Sequence, residues 1–225
     1  MCFSANASFI TGTVLTVIGG VGIKKNKVKR YIPFATIPLL FGIQQFAEGF
    51  LWLNLHTFHL PEIEMLSTFT FLIFAQVIWP TWIPLSFLLL DDPANRSKLQ
   101  YLLVYIGALL SMYLLYCLFN YDIDAVIENK HIKYVNNYPN GVKVFGLPLY
   151  AITTILPLFS THIPKLWFFG VAICASLLLT VLIYSHYLTS VWCYFAAIIS
   201  FVILLILSEL NAKSTLITQS GLKQN

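Results

Sequence analysis

Charge is what this sequence has least of. Lys and Arg number 13 and Asp and Glu number 9, which is 10% of 225 residues, against about 25% in an ordinary soluble domain. The charges cluster and leave long apolar runs, and about 20 such residues cross a ~30 Å hydrocarbon core as a helix. A soluble globular domain is therefore excluded. The net charge of +4 does not indicate nucleic-acid binding, because membrane topology accounts for the basic residues.

Several functional motifs are also missing. The sequence contains no Gly-rich phosphate loop, no HExxH and no GxSxG. The last apolar segment has no lysine, which a retinal protein requires. No Asp lies inside an apolar segment, and His162 and His186 stand at segment ends, so membrane hydrolases of the alkaline ceramidase type fit poorly. A basic leader with a small-residue cleavage site is absent too, so the first apolar segment is expected to be retained.

The apolar runs predict an all-α polytopic membrane bundle of seven transmembrane helices. The predicted helices are 4–23, 31–53, 65–90, 99–119, 145–161, 165–185 and 190–208. Residues 54–64 are predicted to be a loop. Residues 1–208 would form one transmembrane domain, and 209–225, polar and without periodicity, a disordered cytoplasmic tail.

The distribution of Lys and Arg predicts the orientation. With the N-terminus outside and the C-terminus inside, ten basic residues fall on the inner side and three on the outer side, in agreement with the positive-inside rule. The inner set is Lys24, Lys25, Lys27, Lys29, Arg30, Arg96, Lys98, Lys165, Lys213 and Lys223; the outer set is Lys130, Lys133 and Lys143.

The polar segment 120–144 predicts a short β-hairpin in an outer loop. Its centre, AVIENKHIKYV, alternates imperfectly and is rich in residues that favour strands. We expect the turn signal YPNG (138–141) to close the hairpin. The hairpin would either lie over the outer mouth of the bundle or be an ordinary extracellular loop.

The stretch FGIQQFAEGFLWL (41–53) contains the main candidate site. Glu48 is the one acid well inside a predicted helix, about 9 Å from its outer end. Gln44 and Gln45 precede it by four and three residues, so all three share one helix face. Such a residue usually faces the bundle interior or a wet cavity. Glu48 is either a functional acid or ligand, or a helix-packing partner of Gln45 or Gln76.

The predicted topology places further reactive side chains in the outer leaflet. They are Cys2, Gln76, Trp79, Cys117, His186, Trp192 and Cys193. Gln76 and Trp79, in the third predicted helix, lie deeper than the others. Removal of Met1 would give Cys2 a free amine beside its thiol. Cys2, Glu48, His186 and Cys193 could hold a transition metal, although their spacing matches no zinc motif. Alternatively, two of Cys2, Cys117 and Cys193 could form a disulfide, since the outer face is oxidising. His186 and Trp192 could instead mark the headgroup region.

Four stretches carry a resemblance to a known family: MCFSANASF, PLLFGIQQFAEGFLWL, AQVIWPTWIPL and SVWCYFAA. At these stretches the chain resembles a family of uncharacterised bacterial integral membrane proteins that open with Met-Cys-Phe-Ser-Ala. The similarity covers most of 1–208. It implies a multi-pass protein of the bacterial inner membrane and no particular activity. It also implies that certain residues form one pattern, namely Cys2, Gln45, Glu48, Gln76, Trp79, Trp192 and Cys193.

Three functions fit these observations. The first is an outward-facing polar pocket that binds a small ligand or metal, in a sensor or small enzyme, with Glu48 and Cys2 as the catalytic candidates and Gln44, Gln45, Gln76, Trp79 and Trp192 as ligand contacts. The second is a structural or partner-binding membrane subunit. The third is a proton-coupled transporter that uses Glu48. The bilayer is the expected partner, and the oligomeric state stays open, a homo-oligomer included.

Overall fold

The structure is a computed structural model that describes the backbone of 4–163 and 165–222, and the side chains of these residues except Lys143 and 213–222. Cys2 lies outside the described residues. The described part is mostly helical, with one small antiparallel sheet.

The first two apolar segments form an antiparallel pair. Helix α1 spans Ala5–Lys25, begins at the side chain of Ser4, which accepts from Ala7 N, and ends in two lysines. A 3₁₀ turn at Lys29–Tyr31 leads into α2, Ile32–Ala35, and α3, Ile37–Leu53. A π-helical turn, Asn54–Phe58, extends α3.

Glycines set the distance between α1 and α3. A Cβ on Gly19 would overlap the backbone of Leu39, and a Cβ on Gly12 would lie 3.1 Å from the carbonyl oxygen of Gly42. Small residues allow this close approach of backbones, a device common between membrane helices. By contrast, Gly20 faces open space.

The third apolar segment is one long helical unit in three parts. It consists of α4, Pro61–Leu72, a π-helical stretch, Ile73–Ile78, and α5, Trp79–Leu90. Pro80 and Pro84 have no N–H to donate to the preceding turn. Two carbonyls of the π-helical stretch also accept hydrogen bonds from side chains of neighbouring helices. The hydroxyls of Tyr150 and Ser111 donate to the carbonyls of Ala75 and Val77, at 2.5 and 2.6 Å. These two hydrogen bonds tie the segment to α7 and α6.

Helix α6, Lys98–Asn120, begins with a capping box between Ser97 and Gln100 and leads to the sheet. Strand β1, Ile123–Glu128, pairs with β2, His131–Asn136, in antiparallel register with Glu128 opposite His131. Asn129 and Lys130 both have positive φ, 49° and 62°, as a tight two-residue hairpin turn requires. The hairpin is confirmed, but YPNG does not close it: Pro139 is instead the N-cap of the next helix.

Three further helical units complete the described chain. Helix α7 is Asn140–Ser160, with Pro148 and Pro157 inside it, and α8 is Lys165–Ile183. A 3₁₀ turn, Ser185–Tyr187, leads into α9, Leu188–Ile199, and α10, Val202–Leu222. Helix α10 covers 209–222 of the predicted tail. The disorder predicted for that tail, and the division into one domain plus tail, stay predictions.

Among the described residues, six helical units are long and apolar enough to cross a membrane: Ala5–Lys25, Lys29–Phe58, Pro61–Leu90, Lys98–Asn120, Lys165–Ile183 and Ser185–Ala212. The predicted fifth helix has a shorter apolar part, Val144–Ser160. The predicted loop 54–64 was wrong in extent, because helix occupies Asn54–Phe58 and resumes at Pro61. Large apolar side chains such as Leu66, Phe168 and Leu182 are exposed. This surface is compatible with a lipid bilayer and a multi-pass protein.

Contacts group the connecting segments at two ends of the bundle. At the hairpin end, defined by β1 and β2, Ala125 and Ile132 pack on Leu51 and Trp52 of α3. The ring of Tyr134 stacks on Phe71 of α4, with centroids 4.8 Å apart.

At the lysine end, defined by 24–30, the Arg30 guanidinium pairs with Asp92. The neighbouring Asp91 is buried. Its carboxylate accepts from Gln100 Nε2 at 2.7 Å and from Thr161 Oγ1 at 2.8 Å. One buried carboxylate therefore joins the ends of α5, α6 and α7.

Candidate functional site

The polar stripe predicted on the second apolar segment is buried on one face of α3. Gln44, Gln45 and Glu48 are each 0% exposed. Their spacing of three and four residues directs them together into the bundle, below the hairpin-capped end of α3. The expected position of the stripe inside the bundle is thus what the structure has.

Glu48 is held by hydrogen bonds from two helices. Ser190 Oγ, at the start of α9, donates to Glu48 Oε1 at 2.5 Å, and Gln45 Nε2 donates to Glu48 Oε2 at 3.3 Å. Ser190 is also fully buried. Hydrogen bonds of this kind offset the cost of removing a carboxyl group from water. Glu48 therefore links α3 to α9.

Gln44 and its neighbours extend this polar cluster toward α5. Trp79 Nε1 donates to Gln44 Oε1 at 2.8 Å. The Trp79 indole stacks on Phe41, with centroids 4.0 Å apart. Cys193, one turn after Ser190 on α9, is buried beside Gln44 and Glu48. The structure thus brings together five of the predicted residues: Gln44, Gln45, Glu48, Trp79 and Cys193.

Gln76 belongs to a second, adjacent cluster. Tyr138, in the connection between β2 and α7, donates its hydroxyl hydrogen to Gln76 Oε1 at 2.7 Å. Burial raises the pKa of Tyr138 above its ordinary value, so the phenol stays protonated as the donor. The ring of Tyr150 meets the ring of Trp192 edge-on, with centroids 5.4 Å apart. One alternative predicted a hydrogen bond between Gln76 and Glu48, but the structure has Gln76 bonded to Tyr138 instead.

A cavity of about 160 Å³ lies between these two clusters. Its wall consists of residues from the π-helical stretch before α5, from α6, α7 and α9, and from the end of β2. The wall is mainly apolar. The residues with polar groups in the wall are Gln76, Asn136, Tyr138, Tyr150, Thr189, Trp192 and Cys193. Glu48 is not in the wall. Its cluster lies behind Cys193 and fixes that side of α9.

A smaller apolar cavity, about 50 Å³, adjoins the first. Both cavities share Tyr150, Trp192 and Cys193 in their walls. Apart from Thr154, the smaller one is otherwise lined by aliphatic and aromatic side chains of α3, α5, α7, α8 and α9, such as Ile83 and Phe169. The shared residues form the partition between a partly polar compartment and an apolar one.

Two buried polar atoms of residues in the wall of the larger cavity lack hydrogen-bond partners within the described chain. One is the indole Nε1 of Trp192, a residue only 7% exposed, and the other is Asn136 Oδ1. A buried donor or acceptor without a partner costs about 1–3 kcal/mol. Two residues of the cavity wall thus carry a buried polar atom that the described chain does not satisfy.

The remaining predicted residues lie elsewhere. His186 is exposed in the 3₁₀ turn before α9, at the hairpin end near Glu128. Cys117 and Cys193 are both free thiols, so the alternative of a disulfide between them was wrong. Among the described residues, no three or more His, Cys, Asp or Glu side chains group closely enough to hold a metal ion. The Cys2 part of the proposed metal site falls outside these residues.

Sequence reasoning missed three residues that the structure places at the site: Ser190, Tyr138 and Tyr150. Ser190 precedes Cys193 by three residues, so helical spacing alone put both on one face of α9. Tyr138 was counted only as part of a turn signal. Nothing in the sequence indicated Tyr150, because its contact with Ala75 joins residues 75 positions apart.

The comparisons with known proteins agree with the resemblance noted from the four sequence stretches. Neither a curated protein nor a solved structure matches the chain. A family model matches residues 1–217. The chain belongs to DUF6629, a family of unknown function.

Proposed function

We propose that this protein binds a small amphipathic molecule in the cavity at the hairpin end. The observation that carries the proposal is the indole N–H of Trp192, buried without a partner in the wall of that cavity. A mainly apolar pocket with a few placed polar groups is the usual form of a small-molecule site. The ligand would present an acceptor to Trp192 and a donor to Asn136.

The size of the cavity limits the ligand. About 160 Å³ is close to the volume of an apolar protein cavity that accommodates benzene, about 150 Å³. The ligand, or the part of it held here, is therefore about the size of one six-membered ring with a polar substituent. The adjoining apolar cavity would accept a short hydrocarbon extension beyond Trp192.

In this proposal the Glu48 cluster positions the binding wall. Glu48 holds α9 through its hydrogen bond with Ser190, and Gln44 lies beside Cys193 of the same helix. Trp192 lies between Ser190 and Cys193 in the sequence. Two further proposals remain. One is a catalytic role for Glu48 and Cys2, and the other is a metal site formed by Cys2, Glu48, His186 and Cys193. No observation among the described residues supports either of them.

The proposed setting is a bacterial inner membrane crossed seven times, with the N-terminus outside. Helix α7 supports the seventh crossing, because its 21 residues correspond to a length of about 30 Å. The contacts at the two ends of the bundle support alternating connections. In that setting the hairpin lies on the outer side, and the cavity lies beneath it.

Phenol and toluene test the binding proposal, because they match in size and differ in one hydroxyl group. We expect purified protein in detergent to bind phenol more tightly than toluene, measured by saturation-transfer NMR and equilibrium dialysis. Trp192→Phe keeps the aromatic bulk but removes the donor, and should weaken phenol binding about fivefold to tenfold while leaving toluene unchanged. Trp167→Phe is the control, since Trp167 is exposed. Absence of binding of both compounds to the wild-type protein would refute the proposal.

The second candidate function is a structural or partner-binding subunit. It is favoured by the pairing of Glu48 within the bundle, by Ser190 and Gln45, which is what a helix-packing role requires. If neither phenol nor toluene binds while Glu48 variants lose stability, this function becomes the better explanation.

A further inference from the structure

We propose that the lysine end holds a binding site for the phosphate headgroup of an anionic lipid, between the end of α1 and α10. This site lies at the end of the bundle opposite the hairpin and is independent of the ligand cavity. Its outline is a cavity of about 540 Å³. The polar residues in its wall are Lys24, Lys25, Asn26, Lys27, Ser208 and Asn211.

The charge in this cavity is of one sign. Three lysines line it, and no Asp or Glu is part of its wall. Two other basic residues at the same end have acidic partners: Arg30 pairs with Asp92, and Lys165 pairs with Glu209 at 2.6 Å. Within the described chain, no acidic side chain forms an ion pair with Lys24, Lys25 or Lys27. The three ammonium groups are therefore available to an external anion.

The backbone around the lysines is held in place. Asn26 Nδ2 donates to the carbonyl of Val28 at 2.9 Å, and the N–H of Val28 donates back to Asn26 Oδ1 at 3.3 Å. The N–H of Lys27 donates to Asn211 Oδ1 of α10 at 3.1 Å. The turn is thus attached to α10, and the lysine stems start from fixed positions.

One wall of the cavity is apolar, which points to a lipid as the source of the phosphate. Leu204 and Leu207 of α10 line it beside Gly22 of α1. A Cβ on Gly22 would lie 3.5 Å from Leu207 Cδ1, an ordinary van der Waals distance, so α1 and α10 are close together here. A soluble phosphate would gain nothing from these leucines, whereas a lipid would place the first part of its acyl chain against them.

Basic residues next to membrane helices attract anionic lipids in general, so the test must separate a defined site from this attraction. Lys29 and Lys98 provide the control. Both are exposed, and neither belongs to the cavity wall. The variants Lys25→Gln/Lys27→Gln and Lys29→Gln/Lys98→Gln remove the same charge from the same end of the bundle.

The experiment is native mass spectrometry of the full chain, titrated with phosphatidylglycerol or phosphatidylcholine in detergent. We expect one phosphatidylglycerol to bind the wild-type protein in preference to phosphatidylcholine. The Lys25/Lys27 double variant should lose about tenfold or more in affinity, and the Lys29/Lys98 double variant less than twofold. Thermal unfolding of both variants checks that they fold equally.

Three results would overturn the proposal. Equal binding of the two lipids by the wild-type protein would remove the preference for an anionic headgroup, whatever the variants do. Equal losses of phosphatidylglycerol affinity in the two double variants would mean that the lysines act only through general electrostatic attraction to anionic lipids. Competition by glycerol phosphate at the same concentration as phosphatidylglycerol would assign the site to a soluble phosphate and not to a lipid.

Discussion

At the scale of single residues, Glu48 shows how a carboxyl group is accommodated among apolar helices. Removing a carboxylate from water costs several kcal/mol unless hydrogen bonds compensate for the lost hydration. Ser190 and Gln45 offset part of this cost by donating hydrogen bonds to the two carboxyl oxygens. The serine matters more for the fold, because it comes from a different helix, 142 residues away.

We predict that Ser190→Ala destabilises the protein by about 1–3 kcal/mol, because a buried acceptor loses a donor. Ser208→Ala is the control, since the Ser208 hydroxyl is exposed and bonds to Leu205 O of its own helix. Thermal unfolding in detergent measures both. Equal stability of the two variants would show that the Glu48–Ser190 contact does not hold α3 to α9.

We expect the packing of the hairpin to depend on pH through His131. Its ring stacks on Tyr187, with centroids 4.6 Å apart, and burial lowers the pKa of His131 below the ordinary 6.5. Released from the bundle, the side chain binds a proton more readily than when packed. Packing is therefore complete above about pH 6.5 and is weakened as the pH falls through the lowered pKa.

We predict that backbone amide protection in β1 and β2, corrected for intrinsic exchange, declines on acidification below about pH 6.5. In His131→Gln the decline should disappear. Glu128, opposite His131, is not the cause in this range, because the hydrogen bond with Lys133 lowers the pKa of the Glu128 carboxyl. The same decline in His131→Gln would assign the pH dependence to another group.

At the scale of the elements, α5 and α6 pack through a backbone contact. A Cβ on Gly107 would overlap the carbonyl oxygen of Pro80. That carbonyl is available because Pro84 has no N–H to donate to it. The proline in α5 and the glycine in α6 thus act together, although the sequence indicated only the proline.

We predict that Gly107→Ala destabilises the protein by about 3 kcal/mol, because backbone atoms cannot move aside as a flexible side chain can. Gly20→Ala is the matched control, since nothing lies within 4 Å of its added Cβ. It should be neutral or stabilise by up to about 1 kcal/mol through helix propensity. Thermal unfolding compares the two, and a neutral Gly107→Ala would contradict the close contact.

At the scale of the whole molecule, the chemistry differs between the two ends. The lysine end carries the clustered basic residues of 24–30 and the buried Asp91, whereas the hairpin end carries the sheet, the cavity of about 160 Å³ and the Glu48 cluster. In a membrane this difference sets an orientation.

We predict that a cysteine at Lys130 reacts with a membrane-impermeant maleimide in intact cells, and that one at Lys98 reacts only after lysis. The native cysteines are replaced first, by alanine or serine. Lys130 lies in the hairpin turn and Lys98 at the start of α6, where both are exposed. Labelling of Lys98→Cys in intact cells would invert the proposed orientation, and labelling of both would contradict the crossing of α6.

Much of the secondary structure of this protein could be predicted from sequence alone, because the length of apolar segments and the spacing of residues on a helix are local properties. They predicted the long helices, the hairpin segment and the common face of Gln44, Gln45 and Glu48. They misplaced the hairpin turn, because Asn129-Lys130 carries no glycine, and they extended the loop at 54–64. Only the tertiary structure decided that Ser190 binds Glu48, that Gln76 bonds Tyr138 and that the Trp192 indole N–H has no partner among the described residues. These facts depend on contacts between residues far apart in the chain. Local sequence patterns predict where helices form, but they do not predict which helices pack against each other.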